Sequence, residues 1–268
     1  MMRFLKILIC IAAATSSFAT AADMPDPGEI VDKVIAAVGG EGLADLQVLR
    51  LAVSEDKTQN DGRASSNDYV AYADISDLKS LRLELAGGIV LGRTGDDAWA
   101  TEKGVFDERP QTPYMARGTL NQTFFPVLLP YSLKMDGVWV KEVGEIEWEG
   151  RPAWTLFIPF AKGFFVSPVL TTTWRVVVDK EDFSILGADF LPPMDLRDVQ
   201  FMGIRYRILK YDDVAGARIP SQVLAVGINL EGFESGATRV TKIEPTAYGP
   251  WEAGLFVNPL RLEALESE

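Results

Sequence analysis

The chain has 268 residues, 47% hydrophobic and 24% charged, with one Cys, no His and a formal net charge of −12. That composition belongs to an ordinary folded globular protein and excludes a disordered or disulfide-dense one. Without histidine, His-ligated zinc, copper and haem sites, Ser-His-Asp and Cys-His nucleophile systems and imidazole general bases are all excluded. The acidic balance repels phosphate backbones, which argues against a nucleic-acid partner.

The chain begins with an export pattern. Arg3 and Lys6 precede the apolar run Ile7 to Ala14, and Ala19-Thr20-Ala21 is a small-x-small cleavage site. The apolar run is much shorter than the ~20 residues that cross a bilayer, so residues 1–21 read as a signal peptide and 22–268 as a single exported β domain. Cys10 follows Ile9 and lacks the small preceding residue of a lipid-anchoring signal. Cleavage after Ala21 removes the only cysteine and two cations, which takes the net charge from −12 to −14 and leaves no thiol chemistry. The expected compartment is the periplasm.

A helix follows. Asp26 caps it, Pro27 suits its first position, Glu29 completes a capping box, and Ile30, Val34, Ile35 and Val38 share a face before Gly39-Gly40 stops it. A short helical turn is expected over Gly42 to Leu46. The period then changes to two. Val48 to Glu55, Tyr69 to Asp74, Leu81 to Leu85, Trp174 to Val178 and Gly203 to Tyr211 read as antiparallel strands. Turn residues separate them at Asn60-Asp61-Gly62, Ala86-Gly87-Gly88, Thr94-Gly95-Asp96, Trp148-Glu149-Gly150, Asp179 to Asp182, Asp213 to Gly216 and Glu231-Gly232. The pattern is a meander with no βαβ alternation and no phosphate-binding glycine loop.

One segment differs in texture. From Pro113 to Leu133 the chain is apolar on too many sides for a strand and is broken by Pro126 and Pro130, so short helices packed on the sheet are expected. Phe160 to Leu170 reads as a rim loop, and Leu191-Pro192-Pro193-Met194 as a strand connection or edge. The stretch from Leu260 to Leu265 reads as a short terminal helix or a frayed tail.

This order of elements resembles the LolA-like superfamily of periplasmic lipoprotein carriers and sensors. The residues that carry the resemblance are Val38-Gly39-Gly40, Gly95-Asp96-Asp97-Ala98-Trp99, the Phe124-Phe125-Pro126-Val127-Leu128-Leu129-Pro130 insertion, Val176 to Asp179 and Ile219-Pro220. The resemblance implies an antiparallel open half-barrel with an N-terminal helix and a short helical lid. It also implies a hydrophobic groove for a lipid, acyl chain or lipoprotein, with an envelope protein as the alternative partner and no cofactor. A poorly characterised exported branch of the superfamily, which the chain is most similar to, often carries a histidine where Val38 stands. The carriers hold their cavity shut with a buried arginine, and no local motif places one in this sequence.

Candidate ligand-binding residues are Phe124, Phe125 and Leu128 in the insertion and Trp99 on the expected concave face. Such aromatic residues either fill a core or line a cavity, and their type does not decide between the two. A catalytic reading would need paired carboxylates. Asp96 with Asp97, Asp212 with Asp213, and Glu145 with Glu147 are the adjacent pairs, most of them at turns where Asp bonds its own backbone. The expected protein is therefore not an enzyme. There is no calcium-loop pattern, and Asn121-Gln122-Thr123 is a bare glycosylation sequon.

Overall fold

A computed structural model describes residues 24–40, 46–160, 172–191, 203–229, 233–249 and 254–261. The predicted signal peptide, the Gly42–Leu46 turn except Leu46, the rim loop beyond Phe160, the Leu191–Met194 connection beyond its first residue and the Glu231-Gly232 turn lie outside them.

The chain opens on α1 (Pro27–Ala37), capped as the sequence predicts: the Asp26 carboxylate accepts from the backbone N–H groups of Gly28 (2.8 Å) and Glu29 (3.3 Å). Thirteen strands among the described residues form one antiparallel sheet. They are β1 (Val48–Thr58), β2 (Ala64–Asp74), β3 (Leu81–Leu85), β4 (Ile89–Thr94), β5 (Asp97–Glu102), β6 (Val105–Phe106), β7 (Glu142–Trp148), β8 (Arg151–Phe160), β9 (Thr172–Asp179), β10 (Ile185–Leu191), β11 (Gly203–Val214), β12 (Ala217–Ile228) and β13 (Glu234–Tyr248). The second helix, α2 (Thr112–Ser132), falls between β6 and β7.

The spatial order is β6-β5-β4-β3-β2-β1-β13-β12-β11-β10-β9-β8-β7. Except for β6 and β7, which form the two edges, strands neighbouring in sequence pair with each other, most of them through short turns, as the alternation predicts, and the sheet stays open rather than closing into a barrel. One pairing is invisible in the sequence. β1 joins β13 in continuous register from Val48↔Tyr248 to Thr58↔Thr238, so the two ends of the β region meet in the middle of the sheet.

The period of two gives the sheet two unlike faces. Leu49, Leu51, Val53, Ala71, Leu83, Val176, Ala188, Tyr206 and Val223 point inward to one core shared with α1 and α2. The outer face carries a smaller cluster of Trp148, Ala153, Val177 and Leu186.

α2 is one continuous helix, where short helices were expected. Each of Pro126 and Pro130 removes a backbone hydrogen bond. Burial of Leu120, Phe124, Phe125, Val127, Leu128 and Leu129 against the sheet holds the segment helical despite that loss. Its C-terminal end is tied to the rest of the fold, since Tyr131 Oη donates to the Arg218 carbonyl (2.7 Å) and Lys134 pairs with Asp32 of α1 (2.7 Å).

The end of α1 needs Gly39. Its φ is +115°, and a Cβ there would overlap the Gly216 carbonyl, while the neighbouring Val38 carbonyl accepts from Arg218 N–H (3.0 Å). Gly39→Ala is expected to destabilise the protein by about 2–4 kcal/mol through positive-φ strain and displacement of the β11–β12 turn. Chemical denaturation checks this, with Gly40→Ala, where a Cβ meets nothing within 4 Å, as the milder comparison.

Candidate functional site

The inner face is filled in one half and open in the other. Beneath the C-terminal half of α2, Phe125 stacks on Trp174 with ring centroids 3.9 Å apart, and Phe190 and Tyr206 close the cluster around Trp174 at 5.3 and 5.8 Å. Phe124, Phe125 and Leu128 are wholly buried there, and this part of the interior is solid.

Along the other half, three cavities follow the exposed flank of α2. The first, about 650 Å³, lies between the opening turns of α2 and strands β3 to β6, with Leu85, Ile89, Leu91, Ala100, Met115 and Ala116 among its walls. The second, about 530 Å³, sits over Ile204, Ala225, Gly227 and Ala237 on β11 to β13. The third, about 600 Å³, lies between them and is more polar, with Glu55, Lys57, Tyr69, Gln122 and Arg239 in its lining. Each volume falls in the ~300–1,000 Å³ range of small-molecule sites.

The polar stretch is built from inner-face residues of β1, β2 and β13. Glu55 is buried and pairs with Lys57 (2.7 Å) and Arg239 (3.4 Å), and Arg239 Nη2 donates to Tyr206 Oη (3.3 Å). Burial, with the Glu55 charge adding to it, pushes the Tyr69 hydroxyl pKa well above its usual value. Burial acts to lower the Arg239 pKa, but Tyr206, Glu55 and Tyr69 outweigh it and raise the value. These side chains are fixed hydrogen-bonding groups. At the outer rim of the first cavity, Arg109 likewise holds the Asp107 carboxyl well below the usual carboxylate range.

A buried arginine is present, although no sequence motif announced it. Arg93 of β4 points inward and is 6% exposed. Its Nη1 donates to Asn121 Oδ1 on α2 (2.6 Å) and its Nε to the Gly95 carbonyl (2.7 Å). Burial, reinforced by nearby Arg117, lowers its pKa. No carboxylate among the described residues lies within ion-pair distance of it, so the charge rests on two neutral acceptors, an arrangement costly to bury and strained further by the unpartnered Asn121 Nδ2. Arg117 of α2 also reaches the Asp96 carbonyl at the β4–β5 turn. Arg93 and Asn121 are 28 positions apart, and only the fold brings them together. The same burial leaves the sequon amide at Asn121 without access to solvent.

Of the four predicted ligand residues, Phe124, Phe125 and Leu128 lie together on the packed face of α2, and none of the four lines these three cavities. Trp99 lies on the opposite face of the sheet from the one expected. It pairs across β4–β5 with Gly92, whose missing side chain makes room for the indole, and Trp99 Nε1 donates to the Phe256 carbonyl (3.4 Å). Residues 255–256 form a strap there, accepting also from Arg82 Nη1 (3.2 Å) and Thr94 Oγ1 (2.7 Å).

The acidic pairs do not converge on one cleft. β5 with Asp97 and β11 with Asp212 and Asp213 are seven strands apart in the sheet order, and β7 with Glu145 and Glu147 is four strands beyond. Asp97 pairs with Arg261 (3.2 Å), Asp212 with Lys210 (2.6 Å) and Glu145 with Lys180 (2.8 Å). Among the described residues no three acidic side chains gather in metal-binding geometry, and no helix is long and apolar enough to cross a membrane.

No protein-family sequence model matches the chain, and no curated protein matches it significantly. Solved structures do. The LolA superfamily protein NE2245 from Nitrosomonas europaea is similar over 88% of this chain and 100% of its own, with a TM-score of 0.60 at 10% identity. A DUF1329 family protein from Desulfovibrio piger is similar over 88% and 99%, with a TM-score of 0.55 at 12% identity. A domain described as an outer membrane lipoprotein-sorting protein from Vibrio parahaemolyticus is similar over 89% and 97%, with a TM-score of 0.51 at 12% identity. The chain therefore has the LolA-like fold.

The placement of Trp99 separates stability from binding. Trp99→Ala is expected to cost about 3–5 kcal/mol of stability, as for other buried aromatic truncations. Uptake of an apolar fluorescent probe at low temperature should be unchanged, because the side chain faces away from the cavities. A loss of probe affinity without loss of stability would contradict this placement.

Proposed function

We propose that the protein is a non-catalytic binder and carrier of a ligand with a long apolar chain, such as a lipid, working in the bacterial envelope after removal of residues 1–21. The observation that carries this reading is the open, largely apolar trough beside a helix latched to the sheet by Arg93. The likeness to the LolA superfamily protein and to the lipoprotein-sorting domain supports it.

The energetics of such a site are balanced. Fully burying Phe124, Phe125 and Leu128 contributes ~1.5–3 kcal/mol each, so lifting the middle of α2 exposes apolar surface worth about 5–9 kcal/mol. A chain of ten methylenes regains about 8 kcal/mol on burial. Apolar ligand and helix face are thus interchangeable occupants of the inner face, and Phe124, Phe125 and Leu128 become ligand contacts once α2 moves. The two prolines favour this, because each removes one backbone hydrogen bond from the C-terminal half of α2.

Purification from a bacterial host, organic extraction and mass spectrometry test the reading. An acyl-bearing species at about one equivalent is expected for a single site. Protein that carries no such species and also fails to bind added fatty acid would overturn it. N-terminal sequencing of the exported protein should begin at Ala22, and an intact Met1 in the envelope fraction would contradict processing.

Removing the latch should loosen the lid. Arg93→Met is expected to lower stability by about 1–3 kcal/mol, the cost of leaving the buried Asn121 amide unpaired. It should also speed exchange of a bound apolar probe several-fold, measured by stopped-flow fluorescence.

A further inference from the structure

The three cavities adjoin one another along the sheet, and their chemistry alternates. Leu85 and Thr119 line both the first and the third, and Lys57, Gln122 and Arg239 line both the third and the second. Together they cross the sheet from β6 to β11, eight inter-strand steps, or about 38 Å along its curve at ~4.8 Å per step. The two outer cavities have mainly apolar walls, whereas the middle one is about equally polar and apolar.

A single hydrocarbon chain fits this trough badly. Confined to one outer cavity, it leaves the other apolar wall wet. Running through both, it lays methylenes against Glu55, Lys57 and Arg239, taking water from charged groups without replacing its hydrogen bonds. In the middle section Lys57 and Arg239 each pair with Glu55, and their remaining N–H groups, the Gln122 amide and the Thr119 hydroxyl are donors that face the cavity. These groups suit oxygen acceptors such as ester carbonyls or a phosphodiester.

Resting on the carrier reading above, we propose that the natural ligand is a two-chain amphiphile bound splayed. Its oxygen-rich centre would sit on Lys57, Gln122 and Arg239, with one chain directed over Leu91 and Ala100 and the other over Ile204 and Ala225. The alternation of the walls chooses two chains over one, and the position of the donors chooses a central head over a terminal one.

Native mass spectrometry and titration with phosphatidylethanolamine and its one-chain lyso form, which share a headgroup, test this. The two-chain lipid should bind once per protein, at least about tenfold more tightly than the lyso form, because one arm's methylenes are otherwise left in water. The lyso form should bind up to twice. Ala237→Trp, which fills the second arm, and Ala100→Trp, which fills the first, should each bring the two-chain lipid down to the affinity of the lyso form and cut lyso binding to one copy. Ile89→Asp, on the part-exposed wall of the first arm, is the second variant should Ala100→Trp fail to fold. Equal affinity for the two lipids, or sensitivity to variants in one arm only, would overturn the splayed mode while leaving the carrier reading intact. Failure of both lipids to bind would overturn the carrier reading itself.

Discussion

The pairing of β1 with β13 is the constraint on which the architecture depends. The strands lie about 190 positions apart, yet their register is unbroken from Val48↔Tyr248 to Thr58↔Thr238. With this seam the two meanders become one sheet, β6 to β1 on one side and β13 to β7 on the other. The seam also makes the polar stretch of the inner face, because Glu55 and Lys57 come from one strand and Arg239 from the other. A slip of one residue between the two strands would put Arg239 on the opposite face from Glu55 and Lys57.

The two helices divide the inner face unequally. α1 and the C-terminal end of α2 close one part through the Tyr131–Arg218 and Lys134–Asp32 contacts. The middle of α2 fills the concavity with Phe124, Phe125 and Leu128, and its opening turns stand over the first cavity with their exposed flank facing the trough. A helix seated by apolar contact, interrupted by two prolines and fastened by one buried arginine can be displaced by a ligand that offers equivalent apolar contact. On the proposed carrier reading, the fold supplies both the cavity and a means of enlarging it.

Much of the local structure was legible in the sequence, because local chemistry determines it. The Asp26-Pro27 start and Gly39 stop define α1, and period-two alternation marks β1, β3, β9 and β11 within a few residues of their observed ends. Single-helix α2 was hidden by Pro126 and Pro130, whose local cost is overridden by burial that only the assembled sheet provides. The face of Trp99 was hidden because it depends on Gly92 across the strand pair and on a strap 157 positions away. Arg93 gave no signal, since its partner Asn121 lies on another element. In each case the missing information was a long-range contact, the kind of constraint that residue pattern alone does not carry.

Hydrogen–deuterium exchange of the purified protein with and without palmitate tests the central claim most directly. Ligand on the inner face should alter exchange in α2 from Thr112 to Leu128 and at the β3–β5 and β12–β13 positions that line the cavities, while the outer cluster around Trp148 and Leu186 stays unchanged. Unchanged exchange throughout α2, or a change confined to the outer face, would contradict an inner face that exchanges helix contacts for an apolar chain.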